Sequence, residues 1–321
     1  MGRGITVVGS LNADLVVGVR RLPAPGETVA GQDFRVFPGG KGANQAFAAA
    51  RLAAGELPVS MVGRVGNDAY GGWLRQNLAS AGVDVAHVGT LDGLPTGLGL
   101  ITVDAAGQNQ IVVVAGANGA FVPAALSEAH HAVHGAAVVL LQLEIPLPTV
   151  QTAARVGKEG GAVVILDPAP ARAIADMLLR SVDYVTPNES ELGTLTGAAA
   201  PATLRRSEAV TRARQLIARG ARRIIVKMGR QGALLVTDSI EQLFPAFPVE
   251  AVDTTAAGDA FNAGLAFGLA RGMTEAEAVR FASATAALCV TGVGAQPSMP
   301  SRAAVEELIA RTPLHDRSSE P

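Results

Sequence analysis

Between residues 138 and 227 the sequence alternates short apolar runs with longer stretches of helical periodicity, and this alternation limits the possible folds more than any other feature. Two parallel strands need a crossover of a dozen or more residues between them, which is usually a helix. Strands covered on both faces are continuous apolar runs. The apolar runs are 138–143, 162–166, 184–185 and 223–227. The first helical stretch ends at 158, and the later ones are 171–179, 189–195 and 208–218. The pattern predicts an α/β fold, with a mostly parallel sheet covered by helices on both faces.

The first 120 residues interrupt this alternation. Two β-like stretches, 97–104 and 109–115, are joined by four turn-forming residues and predict an antiparallel hairpin. Residues 16–37 are also strand-like and contain no helical stretch. We therefore predict a small separate sheet that is built from two insertions, at about 13–37 and 94–117.

Composition narrows the range of functions. The chain has 321 residues, a net charge of −2 and no long basic run, which argues against a nucleic-acid partner. Its single cysteine, Cys289, cannot form an internal disulfide, and its longest apolar stretch, 132–143, is too short to span a bilayer. We expect a cytoplasmic protein without a membrane partner, folded as a single domain over residues 1–321. The polar residues 312–321 are predicted to form a disordered tail.

The segment 252–261, with the sequence VDTTAAGDAF, lies where an extended segment gives way to a helical pattern. The first turn of a helix has backbone N–H groups without internal partners, and together with the helix dipole they attract anions. The carboxylate of Asp259 in this position has two interpretations. It is either an ordinary first-turn acid, or a base that takes a proton from a hydroxyl while the N–H groups of Ala256, Ala257 and Gly258 stabilise a moving phosphate.

Polar and glycine residues follow the first apolar run. Asn12 and Asp14 are two residues apart and would point to one side of an extended chain, where an amide and a carboxylate can grip a polyol. The alternative is an Asx turn. Gly39-Gly40-Lys41-Gly42 precedes a helical pattern that starts at Ala43, and its glycines permit close approach of a ligand to the backbone. The alternative is a glycine-rich turn with a solvated lysine.

Three later strands also end in polar residues. Glu144 follows the run that ends at 143, Asn188 and Glu191 follow 184–185, and Gly229 follows 223–227. Because parallel strands end at the same edge of a sheet, these residues can converge on one crevice. Carboxylates and amides after a strand are also common helix caps, so each of them alone has a structural alternative.

Taken together, these segments resemble the ribokinase-like carbohydrate kinase family, over nearly the whole chain from Val7 to about Leu308. Residues 39–44 (GGKGAN) match the N-terminal signature of that family, and residues 253–262 (DTTAAGDAFN) match its C-terminal signature. Further matches, which narrow the resemblance to members that phosphorylate ribose, are SLNAD at 10–14, PGET at 25–28, AGAN at 115–118, QLE at 142–144 and GAQPS at 294–298. The resemblance implies ATP-dependent phosphorylation of the ribose 5-hydroxyl and a small β-sheet lid over the sugar.

The resemblance also implies roles for individual residues. Asp259 would be the base, and Ala256, Ala257 and Gly258 would form the anion hole. The residues that would hold the sugar are Asn12, Asp14, Gly40, Lys41, Asn44, Glu144 and Asp259.

For ATP and Mg²⁺, the resemblance implies a second group of residues. Asn188 and Glu191 match an N-x-x-E motif that organises magnesium and phosphate through water. The remaining nucleotide-binding residues would be Lys227, Gly229, Gly232, Gly258 and Ser283. Met228 replaces a leucine that is usual in the family, a change of similar volume. Ser283 stands where relatives often have asparagine or histidine.

A K⁺ site beside the anion hole is implied as well. Its ligands would be Asp253, Thr255, Cys289, Gly292, Gly294 and Ser298. The chain departs from the family at Gly292-Val293, where basic residues are common, and a backbone carbonyl ligand would survive that change. A homodimer through the lid is the implied assembly, since open strand edges tend to be paired.

Other functions stay open on the sequence alone. A kinase of the same family could phosphorylate 2-deoxyribose, a nucleoside, fructose or a keto-deoxy sugar acid instead of ribose. A non-catalytic sugar-binding protein is a candidate from a different class, although the intact Asp259 and N-x-x-E motif argue against it. An NAD-dependent dehydrogenase would need a G-x-G-x-x-G fingerprint after the first strand, and the sequence has none there.

Overall fold

Successive residues of the central strands are buried on opposite faces of one sheet. Val138 and Leu140 pack in one apolar cluster, whereas Val139 and Leu141 pack in another. All four are at most 1% exposed. Burial on both faces explains why these strands are unbroken apolar runs in the sequence. The arrangement comes from a computed structural model that describes residues 3–198 and 204–312.

The large sheet has nine strands, and its central strands are parallel. Their order is β13-β12-β11-β10-β9-β8-β1-β4-β5, and only β11-β12 and β12-β13 pair antiparallel. In chain order the strands are β1 (Ile5–Val8), β4 (Val59–Gly66), β5 (Val83–Leu91), β8 (Val138–Leu141), β9 (Val163–Leu166), β10 (Tyr184–Val185), β11 (Ile224–Lys227), β12 (Ala233–Val236) and β13 (Glu241–Phe244). The predicted α/β class with a mostly parallel sheet is confirmed.

Helices cover both faces of this sheet. One face is packed against α1 (Lys41–Ala53), α2 (Ala69–Ser80), α8 (Ala257–Ala270), α9 (Glu275–Cys289) and α10 (Arg302–Arg311). The other face is packed against α3 (His130–His134), α4 (Leu147–Glu159), α5 (Asp176–Arg180), α6 (Glu189–Leu195) and α7 (Arg206–Ala218). No helix among the described residues is long and apolar enough to cross a membrane.

A second sheet of four strands lies apart from the first. Its order is β3-β2-β6-β7, with strands β2 (Asn12–Val19), β3 (Gly31–Gly39), β6 (Gly97–Val103) and β7 (Asn109–Val114). Strands β6 and β7 form the predicted antiparallel hairpin. Every residue of β7 is exposed. The predicted C-terminal tail lies outside the described residues from position 313 onward.

Several local predictions were incomplete. Strands β5 and β13, at the two edges of the large sheet, and β12, next to β13, were not predicted. In β5, buried and exposed positions are mixed, as is typical of an edge strand, so no apolar run marks it. The helix predicted over 171–179 begins only at Asp176. Before it, the Arg172 guanidinium donates to the carbonyls of Leu143 and Ile145.

Candidate active site

The carboxyl ends of the large sheet's strands surround a cavity of about 580 Å³. The sequence-predicted residues that line it are Lys41, Asn188, Glu191, Lys227, Gly229, Ala256, Ala257, Gly258 and Asp259. They come from four separate segments of the chain. The convergence predicted from the strand ends is present for Asn188, Glu191 and Gly229, whereas Glu144 does not line this cavity. Asp167, which follows β9, also lines the cavity and was not predicted.

The turn before α8 presents backbone N–H groups to this cavity. Ala256 has a left-handed backbone, with φ of 58°, and is the residue at the helix N-cap. The first helical hydrogen bond runs from the Ala260 N–H to the Ala256 carbonyl, at 2.9 Å. The N–H groups of Gly258 and Asp259 therefore precede the hydrogen-bond ladder of the helix and can bind an anion.

Asp259 lies in the first turn of α8 and is only 5% exposed. One carboxylate oxygen accepts from the Asn44 amide at 3.0 Å, and the other accepts from the Gln45 amide at 3.0 Å. Burial raises the pKa of Asp259 to about 6, while the ammonium of Lys41 and these two amides oppose the shift. At neutral pH the group is therefore ionised, but it accepts a proton more readily than an exposed aspartate.

Gln45 connects Asp259 to a second carboxylate that the sequence did not reveal. The Gln45 amide nitrogen also donates to Asp167, at 3.0 Å, and its oxygen accepts from Gln142 at 2.6 Å. Asp167 in turn forms a 2.9 Å ion pair with Lys227. Two signals could have pointed to these residues, since Asp167 directly follows a predicted strand and Gln45 adjoins Asn44 on α1.

Lys41 is the other ammonium group at the cavity. Burial alone would lower the pKa of Lys41, but the surrounding carboxylates raise it overall. These carboxylates are Asp259, Asp167, Glu144 and Glu191. Lys41 therefore stays charged and offsets part of the negative charge of the site.

Asn12 and Asp14 lie on β2 rather than in a loop after β1, so they belong to the four-stranded sheet. The Asn12 oxygen accepts from the Asn118 amide at 2.8 Å. The same amide donates to the Leu11 carbonyl, and the Asn118 oxygen accepts from the Leu11 N–H, both at 3.0 Å. Asn118 thereby fixes the point at which the chain passes from one sheet to the other.

The carboxylate of Asp14 lies over two glycines of the neighbouring strands. A Cβ on Gly39 would come within 2.0 Å of a carboxylate oxygen of Asp14, and a Cβ on Gly99 within 2.5 Å of the other. Burial raises the pKa of Asp14 to about 7, and the charges of Glu144 and Asp259 add to the shift. Among the described residues no hydrogen-bond donor reaches this carboxylate, which leaves it available to a ligand.

Glu144 holds the start of α1 against the end of β1. Its carboxylate accepts from the Ser10 hydroxyl at 2.5 Å and from the Lys41 backbone N–H at 3.0 Å. Gly40, just before the helix, has φ of 86°, and a Cβ there would come within 2.7 Å of the Asn12 nitrogen. The sugar-site candidates Gly40, Lys41, Asn44 and Glu144 are therefore neighbours around one helix terminus.

Asn188 and Glu191 form a capping box at the start of α6. The Asn188 oxygen accepts from the Glu191 N–H, and the Glu191 carboxylate accepts from the Asn188 N–H, each at 2.8 Å. Burial raises the pKa of Glu191, and the Lys227 ammonium opposes that shift. The helix-cap interpretation is thus correct for this pair, and both residues also line the cavity.

The six residues predicted to bind a monovalent cation lie in the loop before α8 and in the segment that runs from the end of α9 to Ser298. Asp253 accepts from the N–H groups of Thr255 and Gly294, at 2.9 and 2.8 Å, which joins the loop and the segment. The Cys289 thiol lies 3.1 Å from the Ser298 hydroxyl, and the Cys289 carbonyl accepts from the Gly292 N–H at 3.2 Å. Carbonyl, carboxylate and hydroxyl oxygens are suitable ligands for a hard cation.

Two nucleotide-site candidates do not line the cavity. Ser283 is buried within α9, where its hydroxyl donates to the Val279 carbonyl at 2.9 Å. Gly232 has φ of 104°, and a Cβ there would come within 2.0 Å of the Phe244 carbonyl. The structure therefore gives Gly232 a backbone role at the start of the β12-β13 hairpin.

Comparison with known proteins shows which family the chain resembles over nearly its whole length. The model of the pfkB family carbohydrate kinases matches residues 3–302. Ribokinase from Bacillus subtilis (strain 168) is 42% identical over 308 residues, which cover 96% of this chain and 100% of the relative. Deoxyribokinase from Salmonella typhi is 38% identical over 298 residues, which cover 92% and 95%. The structure of Arabidopsis thaliana ribokinase complexed with ribose and ATP has a TM-score of 0.89 and 36% identity, covering 96% of this chain and 99% of the other.

Proposed function

The chain belongs to the pfkB family of carbohydrate kinases, and we propose that it transfers the γ-phosphoryl group of ATP to the 5-hydroxyl of D-ribose. The observation that carries this proposal is the position of Asp259. Its buried carboxylate, held by two amides, lies between the N–H groups of the α8 turn and the polar residues around the start of α1.

The sugar binds where the two sheets meet. Asn12, Asp14, Gly40, Lys41, Asn44 and Glu144 surround this region, and Asp259 closes it on the side of the cavity. Carboxylate and amide oxygens suit the hydroxyl groups of a pentose, because each hydroxyl can donate to one of them and accept from another group. Burial removes the hydrogen bonds that water would make to the Asp14 carboxylate. In the complex, hydroxyl groups of the sugar donate to it instead.

Transfer of the phosphoryl group needs positioning and charge stabilisation more than covalent chemistry. The 5-hydroxyl oxygen forms a bond to the γ-phosphorus as its proton passes to the Asp259 carboxylate. The bond between the γ-phosphorus and the bridging oxygen breaks, and ADP leaves with the electron pair. The N–H groups at the start of α8, above all those of Gly258 and Asp259, stabilise the charge on the transferred group. The Ala257 N–H donates to the Thr254 carbonyl at 3.3 Å, so Ala256 and Ala257 mainly shape the turn.

ATP occupies the cavity, with its phosphates toward Asn188, Glu191, Lys227, Gly229 and Gly258. Mg²⁺, bound with the phosphates, would neutralise charge on the triphosphate. No cluster of three or more metal-ligating His, Cys, Asp or Glu side chains exists among the described residues. This fits Mg²⁺, which usually binds through one or two carboxylates, waters and substrate phosphates. Glu191 is the carboxylate best placed for such a contact.

K⁺ fits the loop and the segment that Asp253 joins. The ligand set would be oxygens of Asp253, Thr255, Cys289, Gly292, Gly294 and Ser298. Burial raises the pKa of the Cys289 thiol, so that the sulfur stays protonated and only the carbonyl of this residue serves as a ligand. An ion there would brace the backbone that leads into the α8 turn.

The four-stranded sheet serves as a lid over the sugar and as the contact surface of a homodimer in the cytoplasm. Closure of the lid excludes water and so limits ATP hydrolysis.

Ile111, Val112 and Val113 of the lid's edge strand are each more than half exposed, and open apolar edges favour pairing. Light scattering tests the dimer. Val112→Lys should yield monomers, Met177→Lys on α5 should not, and a monomeric parent chain would contradict the proposal.

The decisive experiment measures ADP formation from Mg-ATP with ribose, 2-deoxyribose, adenosine or fructose, each in potassium and in sodium buffer. Fast turnover with ribose that rises in potassium supports both the acceptor and the cation site. Turnover that is highest with 2-deoxyribose would retain the chemistry and change the acceptor. A folded protein that binds ATP and phosphorylates none of these sugars would refute the proposed function, and ATPase activity equally fast without sugar would contradict the role of the lid.

A further inference from the structure

Lys227 is buried at the end of β11, between a carboxylate and the turn that precedes α8. Its Nζ atom lies 2.9 Å from Oδ1 of Asp167, and the two side chains are 14% and 2% exposed. The same Nζ atom is 3.1 Å from the position that a Cβ on Gly258 would occupy. The ammonium therefore lies beside Gly258, in the turn whose N–H groups precede the helical ladder.

The cavity is lined by more carboxyl groups than ammonium groups, so the position of each ammonium group matters for binding an anion. Two ammonium groups, of Lys41 and Lys227, and four carboxyl groups, of Asp167, Glu189, Glu191 and Asp259, line it. A triphosphate that enters such a lining needs local positive charge. Of the two ammonium groups, that of Lys41 lies beside the sugar-site residues at the start of α1. The ammonium of Lys227 is the one that adjoins the α8 turn, where the phosphoryl group would be transferred.

The counterion of Lys227 is held in place by the same amide that holds the proposed base. Gln45 donates from one nitrogen to Oδ2 of Asp167 and to Oδ1 of Asp259, both at 3.0 Å. Gln142 donates to the Gln45 oxygen at 2.6 Å and so fixes which end of the amide faces the carboxylates. A continuous set of contacts thus runs from the proton acceptor to the ammonium.

We propose that Lys227 is a further catalytic residue, whose ammonium contacts the phosphoryl group during transfer, and that Asp167 is the residue that positions it. This inference rests on the proposed kinase function. During transfer, negative charge is spread over the three equatorial oxygens of the phosphoryl group. A buried ammonium that is already oriented stabilises such charge without reorganisation. Asp167 holds Lys227 at the turn, and Gln45 fixes the position of Asp167 relative to Asp259.

The test compares Lys227→Met and Lys227→Arg in the full-length chain, with kcat and the KM values for ATP and ribose measured in Mg²⁺. Ribose binding is measured separately by calorimetry. We expect Lys227→Met to lower kcat about 10²- to 10³-fold, as for the loss of other groups that stabilise transition-state charge. Ribose affinity should stay within about twofold of the parent, because Lys227 does not touch the sugar residues. Lys227→Arg should restore part of kcat, since it retains the charge.

Two further variants separate catalysis from packing. Lys158→Met removes a lysine from another partly buried pair, with Asp183 at 2.7 Å, outside the cavity lining. It should reduce thermal stability without changing kcat. The double variant Lys227→Met/Asp167→Asn removes both charges of the cavity pair, so that it leaves no unpaired buried charge if the single variant fails to fold. Its kcat should be as low as that of Lys227→Met.

Asp167→Asn tests the positioning role. The ammonium remains but loses its charged partner, so we expect a smaller fall in kcat, about tenfold, with ribose affinity unchanged. A Lys227→Met variant with kcat within about threefold of the parent, or with a loss confined to the KM for ATP, would overturn the inference. A parent chain that phosphorylates no sugar would instead refute the proposed function, so the two failures are distinguishable.

Discussion

The two sheets supply their parts of the site in different ways. At the edge of the large sheet, each carboxylate of the catalytic group already has partners. Asp259 accepts from two amides, and Asp167 accepts from an amide and an ammonium. On the small sheet, the Asp14 carboxylate lies over glycines without a donor among the described residues.

This difference separates two tasks. A group that acts in the chemical step must be held in one position before the substrate arrives, because orientation is a large part of the rate enhancement. A group that recognises a hydroxyl must be free to accept from it. We therefore expect substitutions at the large-sheet edge to lower kcat, and substitutions on the small sheet to raise the KM for the sugar.

The largest effect should follow from Asp259→Asn. The amide fills the same space but cannot take the proton from the 5-hydroxyl, so kcat should fall about 10²- to 10⁴-fold. Ribose binding, measured by calorimetry, should change little. Asp176→Asn, which alters another first-turn aspartate that is paired with Arg219 at the surface, is the matched control and should leave kcat unchanged. A folded Asp259→Asn protein with near-normal turnover would show that Asp259 is not the base.

The next effect should follow from Asp14→Ala. The variant loses a charged hydrogen-bond acceptor for the sugar, and such bonds contribute about 1.5–3 kcal/mol. The KM for ribose should therefore rise about 10- to 100-fold, with kcat reduced much less. Asp33→Ala on β3, an exposed aspartate of the same sheet, should change neither value. If Asp14→Ala lowered kcat as strongly as Asp259→Asn, the division of tasks between the sheets would be wrong.

The sequence was sufficient to predict the central parallel sheet, because strands that are buried on both faces must be apolar along their whole length. It was also sufficient to predict that 256–259 joins a loop to a helix, because small residues precede an apolar helical pattern. The edge strands β5 and β13 escaped notice, because they mix buried and exposed residues. Strand β12 is fully buried but has only four residues and was missed as well.

The partners of Asp259 could not be predicted from spacing. Gln45 and Asp167 are far from Asp259 in the chain, and they meet it only because α1 and α8 begin, and β9 ends, at the same edge of the sheet. The resemblance identified Asn44 but not the adjacent Gln45. Asp14 illustrates the same limit, since its isolation depends on Gly39 and Gly99 of the two neighbouring strands.

Lowering the pH should reduce kcat, by less than the two substitutions above change their parameters. Burial raises the pKa of Asp259 to about 6, and the base must be ionised to accept a proton. The value of kcat should therefore fall about tenfold per pH unit below pH 6. Asp14, whose pKa is about 7, acts before the chemical step and should influence kcat/KM in addition. In Asp14→Asn the acid limb of kcat should stay where it is. A shift of that limb would show that Asp14, rather than Asp259, controls the chemical step.

The smallest effect concerns the stability cost of an unpartnered carboxylate. Because the folded-state pKa of Asp14 is about 7 and the ordinary value is 3.8, the folded chain binds this proton more tightly than the unfolded chain. The stabilisation by this group is complete below pH 3.8 and is lost as the pH rises through 7. Asp14→Asn cannot ionise, so at pH 8 its Tm should exceed that of the parent by about 2–4 °C. Thermal unfolding at pH 5.5 should show a gap about half as large, because at that pH Asp14 is protonated in the folded chain but ionised in the unfolded chain, and the gap should vanish only near pH 3.8. A gap that does not depend on pH would mean that Asp14 has a partner in the free protein, and the contrast between the two sheets would disappear.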